Sequence, residues 1–139
     1  MKTRIGVGLI GFGTVGTGVA KVLFENAALI RRRVGVPVEL LRIADLDITR
    51  DRGVAVPPGV LTTDVKQVLA DPAIDIVIEL VGGYDFAKRV MLDAIAANPA
   101  RYRGVAIVDD GFTDAQFEAL HRGGARFLSQ PLVAGIAGR

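Results

Sequence analysis

Cysteine is absent from this sequence of 139 residues, and histidine occurs only once. Without cysteine, the chain forms no disulfide, uses no thiolate nucleophile and offers no cysteine-based metal site. No apolar run reaches the length of a membrane span, and no signal-peptide pattern precedes the first strand candidate. The net charge of +2 is too small to indicate nucleic acid as a partner. We therefore expect a soluble cytoplasmic protein that binds neither a membrane nor nucleic acid.

The sequence does contain a glycine-rich turn between a strand pattern and a helix pattern. Ile5–Ile10 is short, apolar and partly β-branched, which indicates a strand. Beyond the turn, apolar residues from Val15 to Leu23 recur at helical spacing. This order of strand, glycines and helix is typical of a dinucleotide-binding fingerprint. The predicted cofactor-binding residues of the turn are Gly11, Phe12, Gly13, Thr14, Val15 and Gly16.

Each glycine of the turn has a separate predicted role. Gly11 permits a tight turn, Gly13 lets the backbone approach a pyrophosphate, and Gly16 lets the helix pack closely on the strand. The helix that starts near Thr14 directs unpaired N–H groups and its positive dipole end towards that anion. The alternative is a glycine-rich turn without a ligand.

A carboxylate follows the second predicted strand, Val38–Ala44. Asp45 at the end of this strand is the expected partner of an adenosine ribose 2′-hydroxyl, and a long first helix accounts for its distance from the glycines. Asp45 could instead cap the turn that follows it. Asp45 favours NAD as the cofactor, but NADP stays open because basic residues that could accept a 2′-phosphate lie near it in sequence: Arg42, Arg50 and Arg52.

The most apolar strand candidate is Ile74–Val81, which leads into Gly82 and Gly83. These two glycines are predicted to contact the cofactor, because open α/β sheets bind ligands at the carboxyl ends of their strands. A plain strand-to-helix turn is the alternative. The remaining predicted elements are a loop over Val54–Val60, helices over Asp64–Ala70, Asp85–Ala97 and Thr113–His121, and strands over Gly104–Asp109 and Ala125–Leu128.

This alternation of strands and helices predicts an α/β fold with right-handed crossovers and a doubly wound, mostly parallel sheet, which is a Rossmann-like arrangement. With 50% apolar and 23% charged residues, the chain suits a single domain over residues 1–139.

Residues suited to catalysis are few. His121 follows a helical pattern beside Arg122, which favours a surface or capping role. Asp109 and Asp110 could bind a metal or cap the next helix, and we favour the cap. Glu79 either touches the cofactor cleft or accepts a backbone hydrogen bond. We predict no catalytic residue and no metal site.

Three separated segments, residues 5–19, 42–47 and 75–83, resemble in order the amino terminus of homoserine dehydrogenase. The resemblance implies reduction of aspartate semialdehyde to homoserine with NAD or NADP, as a step of threonine and methionine biosynthesis. It also implies a nucleotide-binding domain followed by a substrate and dimerisation domain. The cofactor contacts that it implies are Gly11, Gly13, Thr14, Val15, Gly16, Gly82 and Gly83.

The resemblance weakens after Ala97. Gly111 stands where the family has a lysine tied to catalysis, the stretch 130–135 only echoes a family segment, and the substrate domain is absent. A truncated chain, a shifted reading frame or a regulatory paralogue would each produce this tail. Two functions therefore stay open: the cofactor domain of a homoserine dehydrogenase, inactive by itself, or a non-catalytic nucleotide-binding or NAD-sensing module. Uncovered apolar surface would favour self-association into a homo-oligomer.

Overall fold

Four parallel strands form the sheet of the first part of the chain. Strand β1 (Ile5–Ile10) lies between β2 (Val38–Ala44) and β4 (Ile76–Glu79), and the short β3 (Leu61–Thr62) pairs with the other side of β2. The computed structural model describes residues 2–81, 84–102, 104–108 and 113–129. These residues belong to two compact units, 1–87 and 88–139. The predicted α/β class with a parallel sheet is confirmed.

Helices pack on both faces of this sheet. Leu9 in β1 belongs to the same buried cluster as Ala20 in α1 (Thr14–Glu25). A Cβ atom placed on Gly8 would instead lie 2.5 Å from a side-chain atom of Val68 in α3 (Val65–Leu69). Since successive strand residues point to opposite faces, α1 and α3 cover opposite sides of the sheet. The predicted doubly wound arrangement is therefore present in the first unit.

The region predicted as one long first helix consists of two helices. α1 ends at Glu25, and α2 (Ala27–Val34) follows after Asn26, whose φ of −105° and ψ of 15° are not helical. Asparagine is a weak residue for a helix interior, because its side chain competes for backbone hydrogen bonds. α2 ends at Gly35, which is left-handed with a φ of 89°, and its last turn carries exposed basic residues that complement the helix dipole.

Two strands differ from the sequence-based prediction. The two residues of β3 were not predicted, because a segment this short shows no periodicity. β4 is shorter than the predicted strand: Ile74 is fully buried, but its N–H donates to the Asp71 carbonyl in a turn. Ile76 at the start of β4 is 47% exposed.

The carboxylate of Asp64 accepts from the Lys66 N–H at 2.9 Å, so α3 begins where its capping residue predicts.

The second unit contains a parallel strand pair with a crossover helix. α4 (Tyr84–Ala97) begins before this unit and continues into it. β5 (Gly104–Val108) pairs in parallel with β6 (Ala125–Ser129), and α5 (Asp114–Arg122) connects them. Thr113 and Gln116 form a capping box at the start of α5. Within the described residues, no helix has the length and apolar character needed to cross a membrane.

Candidate functional site

The glycine turn has the backbone geometry that its sequence predicts at Gly11. Gly11 has a φ of 94°, which side-chain-bearing residues rarely adopt. A Cβ atom here would lie 2.9 Å from the Leu80 carbonyl carbon, in the segment that follows β4. A Cβ on Gly16 would lie 2.0 Å from the Gly11 carbonyl oxygen, so α1 can approach the end of β1 only with glycine at this position.

The amino terminus of α1 provides open backbone donors. Gly13 is the N-cap residue, and none of the described side chains caps the helix there. The first intrahelical bond runs from the Thr17 N–H to the Gly13 carbonyl at 2.8 Å, so the N–H groups of residues 14–16 have no helical acceptor. A Cβ on Gly13 would meet no described atom within 4 Å, and Val15 is 63% exposed. A bound anion can therefore approach these donors closely.

The carboxylate of Asp45 lies against this turn. One oxygen, Oδ2, accepts a hydrogen bond from the Phe12 N–H at 2.5 Å. The other oxygen, Oδ1, accepts from the Asp47 N–H at 2.9 Å, so Asp45 also caps the turn that follows β2. The Asp45 N–H donates to the Thr62 carbonyl at 3.0 Å, which fixes its backbone to β3. The sequence left capping and ribose binding as alternatives for Asp45; the capping interpretation is confirmed, and ribose binding stays a prediction.

Arg52 completes a cluster with Asp45 and Phe12. Its Nη2 lies 3.4 Å from Asp45 Oδ1, and its Cζ lies 5.3 Å from the centroid of the Phe12 ring. The Arg52 side chain is 14% exposed and that of Asp45 18%, so the pair is largely shielded from water. Arg52 Nη2 also donates to the Asp47 carbonyl at 3.0 Å. We call Phe12, Asp45 and Arg52 the ribose-end cluster.

The structure distinguishes the three arginines that the sequence offered equally as partners of a 2′-phosphate. Arg42 donates to the Gly59 carbonyl at 2.5 Å, and its Nε lies 3.9 Å from Oδ2 of Asp71. Arg50 is exposed, and Arg52 alone among the three pairs with Asp45 in the described residues. The loop that brings Arg52 back is ordered by Asp47, whose carboxylate accepts from the hydroxyl and N–H of Thr49 and from the Arg50 N–H. These bonds, the Thr49 hydroxyl first, lower the pKa of Asp47.

Glu79 lies at the carboxyl end of β4, opposite Ile10 of β1. Its carboxylate accepts a hydrogen bond from the Val81 N–H at 2.6 Å. This is the backbone hydrogen bond that the sequence analysis gave as one of two interpretations of Glu79. Burial raises the pKa of the Glu79 carboxyl, and the bond from Val81 offsets part of that rise. Gly82 and Gly83, the remaining predicted cofactor contacts, lie outside the described residues.

The other candidate residues lie apart from this cluster in the sequence. His121 is exposed in the last turn of α5, where a capping or surface role was predicted. Asp109 and Asp110 lie outside the described residues, as does Gly111. Within the described parts of the chain, no three histidine or acidic side chains converge in a way that could hold a metal ion.

The sequence closely resembles known proteins over its first two thirds. A family model for the NAD-binding domain of homoserine dehydrogenase matches residues 11–100. The homoserine dehydrogenase of Bacillus subtilis is 41% identical over 91 residues, which are 66% of this chain and 21% of that protein. The homoserine dehydrogenase of a Synechocystis species is 33% identical over 129 residues, 93% of this chain and 29% of the relative. The chain thus spans about a fifth to a third of the relatives' length.

Solved structures resemble the chain over more of its length. The crystal structure of Staphylococcus aureus homoserine dehydrogenase covers 92% of the chain with a TM-score of 0.71 at 22% identity, which supports the fold alone. A homoserine dehydrogenase from Thiobacillus denitrificans covers 89% with a TM-score of 0.64 at 33% identity. The chain covers 34% and 28% of these two structures, so it is similar to one part of each. The likeness therefore continues beyond Ala97, where the motif resemblance weakened.

Proposed function

The chain belongs to the homoserine dehydrogenase family, whose NAD-binding domain it carries, and from this premise we propose that it holds the nicotinamide cofactor for the interconversion of aspartate semialdehyde and homoserine. The activity is a proposal for the whole protein, because the chain spans only 21% of the Bacillus subtilis relative. When bound, the cofactor supplies the hydride chemistry, and the residues described here supply its binding and orientation.

The hydrogen bond between Phe12 and Asp45 is the observation that carries this proposal. It links the glycine turn to the end of β2, which are the two places that hold the pyrophosphate and the adenosine ribose in a dinucleotide-binding fold. Both places therefore lie at the same edge of the sheet, at the carboxyl ends of neighbouring strands.

The open amino terminus of α1 would bind the pyrophosphate. The N–H groups of Thr14, Val15 and Gly16 lack helical acceptors, and the dipole of α1 places partial positive charge beside them. No acidic residue occupies the first turn of α1, so none competes with a phosphate for these donors. Gly13 leaves space for the anion because it has no side chain. We propose that Gly82 and Gly83 complete the site from the end of β4.

Asp45 would favour NAD over NADP. An ionised carboxylate accepts hydrogen bonds from a ribose 2′-hydroxyl but repels a 2′-phosphate, by about 1–3 kcal/mol for like charges at that range. Arg52 opposes this discrimination, because its guanidinium lies 3.4 Å from the same carboxylate. We propose NAD as the cofactor, with NADP as the competing ligand.

A non-catalytic nucleotide-binding or NAD-sensing module is the second candidate function. One observation favours it: Gly111 stands where the family resemblance implies a lysine tied to catalysis. Glycine has no side chain that could donate a proton or a charged hydrogen bond to a substrate. Both candidates share the same cofactor site and differ only in the turnover of substrate.

The remaining features of the function are proposals too. We propose that residues 1–139 act as one dinucleotide-binding domain in the cytoplasm, without nucleic acid or a membrane as a partner. We also propose that the chain associates with further copies of itself. Sedimentation at several protein concentrations would test the self-association.

Calorimetric titration of the 139-residue chain with NAD and with NADP tests the proposed binding. We expect saturable binding of at least one dinucleotide at a stoichiometry of one per chain. The absence of binding by both would contradict the proposal. Oxidation of NADPH or NADH in the presence of aspartate semialdehyde, followed by absorbance, then separates the enzyme from the binding module.

A further inference from the structure

The Asp45 carboxylate has little capacity left for a ligand in the free protein. A carboxylate offers about four acceptor positions. Three are occupied, by the Phe12 N–H at 2.5 Å, the Asp47 N–H at 2.9 Å and the Arg52 guanidinium at 3.4 Å. A ribose diol brings two hydroxyl donors to such a carboxylate. One of the present donors must therefore give way before a ribose can bind with both hydroxyls.

Arg52 is the donor that can leave. The N–H groups of Phe12 and Asp47 belong to the backbone and are fixed by the glycine turn and by the turn after β2. The Arg52 contact is the longest of the three and comes from a side chain with several rotatable bonds. The Arg52 side chain is also incompletely hydrogen-bonded, because its Nε is buried without a hydrogen-bond partner among the described residues. An unsatisfied buried donor raises the free energy of this arrangement. Moving the Arg52 side chain away from Asp45 therefore costs less free energy than if every donor were paired.

The Phe12 ring would let the Arg52 guanidinium leave Asp45 and still remain in the ribose-end cluster. Phe12 is 3% exposed and offers its face to Arg52 at 5.3 Å. Attraction of a cation to a ring face has no strict direction, so the guanidinium can shift across the ring. A displaced Arg52 would stay next to Asp45, the proposed partner of the ribose, and its planar fork suits a phosphate.

We propose that Arg52 is the specificity-determining residue of the ribose-end cluster: it pairs with Asp45 in the free protein, leaves it when a cofactor binds, and shifts the preference from NAD towards NADP. This inference rests on the proposed function, because it concerns the same cofactor. NAD gains nothing from the displaced cation and must break the ion pair. NADP breaks the same pair but gains a charge-assisted contact with its 2′-phosphate.

Substitution of Arg52 by methionine tests this role. Methionine keeps an unbranched apolar stem over Phe12 but removes the charge and the donors. We expect Arg52→Met to raise the ratio of the NADP to the NAD dissociation constant by about tenfold or more, the equivalent of one lost hydrogen bond to a charged group. The affinity for NAD should stay unchanged or increase, because the competing ion pair is gone.

Arg50→Met is the matched control. Arg50 lies two residues before Arg52 and is exposed, so this variant removes one positive charge near the site without removing a contact to Asp45. The ratio of the NADP to the NAD dissociation constant should then change by less than about twofold, because only long-range charge is altered. Arg52→Lys provides a second variant at the site itself. Lysine keeps the cation without the planar fork, so the ratio should rise by a smaller factor than in Arg52→Met. Thermal melts of all variants show whether each one folds.

A role of Arg52 in structure alone gives a different result. If Arg52 only holds Asp45 and its loop in place, Arg52→Met weakens NAD and NADP by the same factor, and this result overturns the inference. An unchanged ratio in Arg52→Met and Arg52→Lys, in a wild type that binds a dinucleotide, also overturns the inference and leaves the proposed function intact. A wild type that binds neither dinucleotide overturns both.

Discussion

The carboxylate of Asp45 accepts a hydrogen bond from the backbone N–H of Phe12 at 2.5 Å, across 33 positions of sequence. This contact holds the end of β2 against the glycine turn after β1. It depends on the parallel pairing of β1 with β2, in which Ile10 lies beside Ala44, because that register brings the next residues of both strands to the same edge. The contact therefore connects the sheet to the proposed cofactor site.

Asp45→Ser should narrow or reverse the preference for NAD over NADP. Serine can still hydrogen-bond a ribose hydroxyl but no longer repels a 2′-phosphate, which removes a difference of about 1–3 kcal/mol. Dissociation constants of both dinucleotides, measured by calorimetry on both proteins, check this. An unchanged or larger preference for NAD in Asp45→Ser would contradict the assignment of Asp45.

Alanine at two glycines of α1 should change stability in opposite directions. Gly16→Ala places a Cβ atom 2.0 Å from the Gly11 carbonyl oxygen, so we expect a loss of roughly 1–3 kcal/mol or more, as for other overpacked sites. Gly18→Ala adds a Cβ atom in open space and should gain up to about 1 kcal/mol from helix propensity. Urea unfolding measures both changes. A stabilising Gly16→Ala would mean that α1 does not pack so closely on the turn that an added Cβ clashes.

Glu79→Gln should make the protein more stable at neutral pH than the wild type. Because burial raises the pKa of Glu79 in the folded state, the folded protein binds its proton more tightly than the unfolded chain does. Stability is therefore lost as the pH rises from the ordinary glutamate range through the raised pKa. Glutamine keeps an acceptor for the Val81 N–H and does not titrate.

Urea unfolding of both proteins from acidic to neutral pH checks this prediction. The advantage of Glu79→Gln should grow as the pH rises and vanish in acid, where both states of the wild type are protonated. Glu79 is half-buried, so water screens part of the effect. An advantage that is constant with pH would show that the carboxyl does not titrate differently in the folded state.

The 139 residues by themselves should bind a dinucleotide without turning over aspartate semialdehyde. Orientation of a substrate against the nicotinamide accounts for up to roughly 7–11 kcal/mol of such a barrier, and the chain spans only about a fifth of the Bacillus subtilis enzyme that it resembles. An absorbance assay of cofactor oxidation, run beside a full-length family member, measures this. Robust turnover by these residues would show that the catalytic groups lie among them.

The sequence predicted the parts of the site that depend on local pattern and on parallel pairing. The switch from strand to helix across Gly11 and Gly16 is local, and the position of Asp45 follows from the end of β2. The sequence named Arg52 among three arginines that could accept a 2′-phosphate but could not single it out, because its place beside Asp45 depends on a loop that is ordered by Asp47 and has no periodicity. The break between α1 and α2 at Asn26 was missed for the opposite reason: the helical pattern continues across it.

The central claim is that the turn after β1 binds a pyrophosphate, and Gly13→Val tests it most directly. Gly13 has a negative φ of −69° in an extended conformation that valine also adopts, and a Cβ atom there meets no described atom within 4 Å. Valine should therefore leave the fold intact and block only the ligand. Gly18→Val, also in open space but five residues further on and inside α1, is the matched control.

The measurement is calorimetric titration of wild type, Gly13→Val and Gly18→Val with the dinucleotide that binds the wild type more tightly. We predict that Gly13→Val weakens binding by about a hundredfold or more, which corresponds to ~3 kcal/mol, with the melting temperature close to that of the wild type. Gly18→Val should bind like the wild type. Equal affinities of all three proteins would contradict the assignment of this turn as the cofactor site.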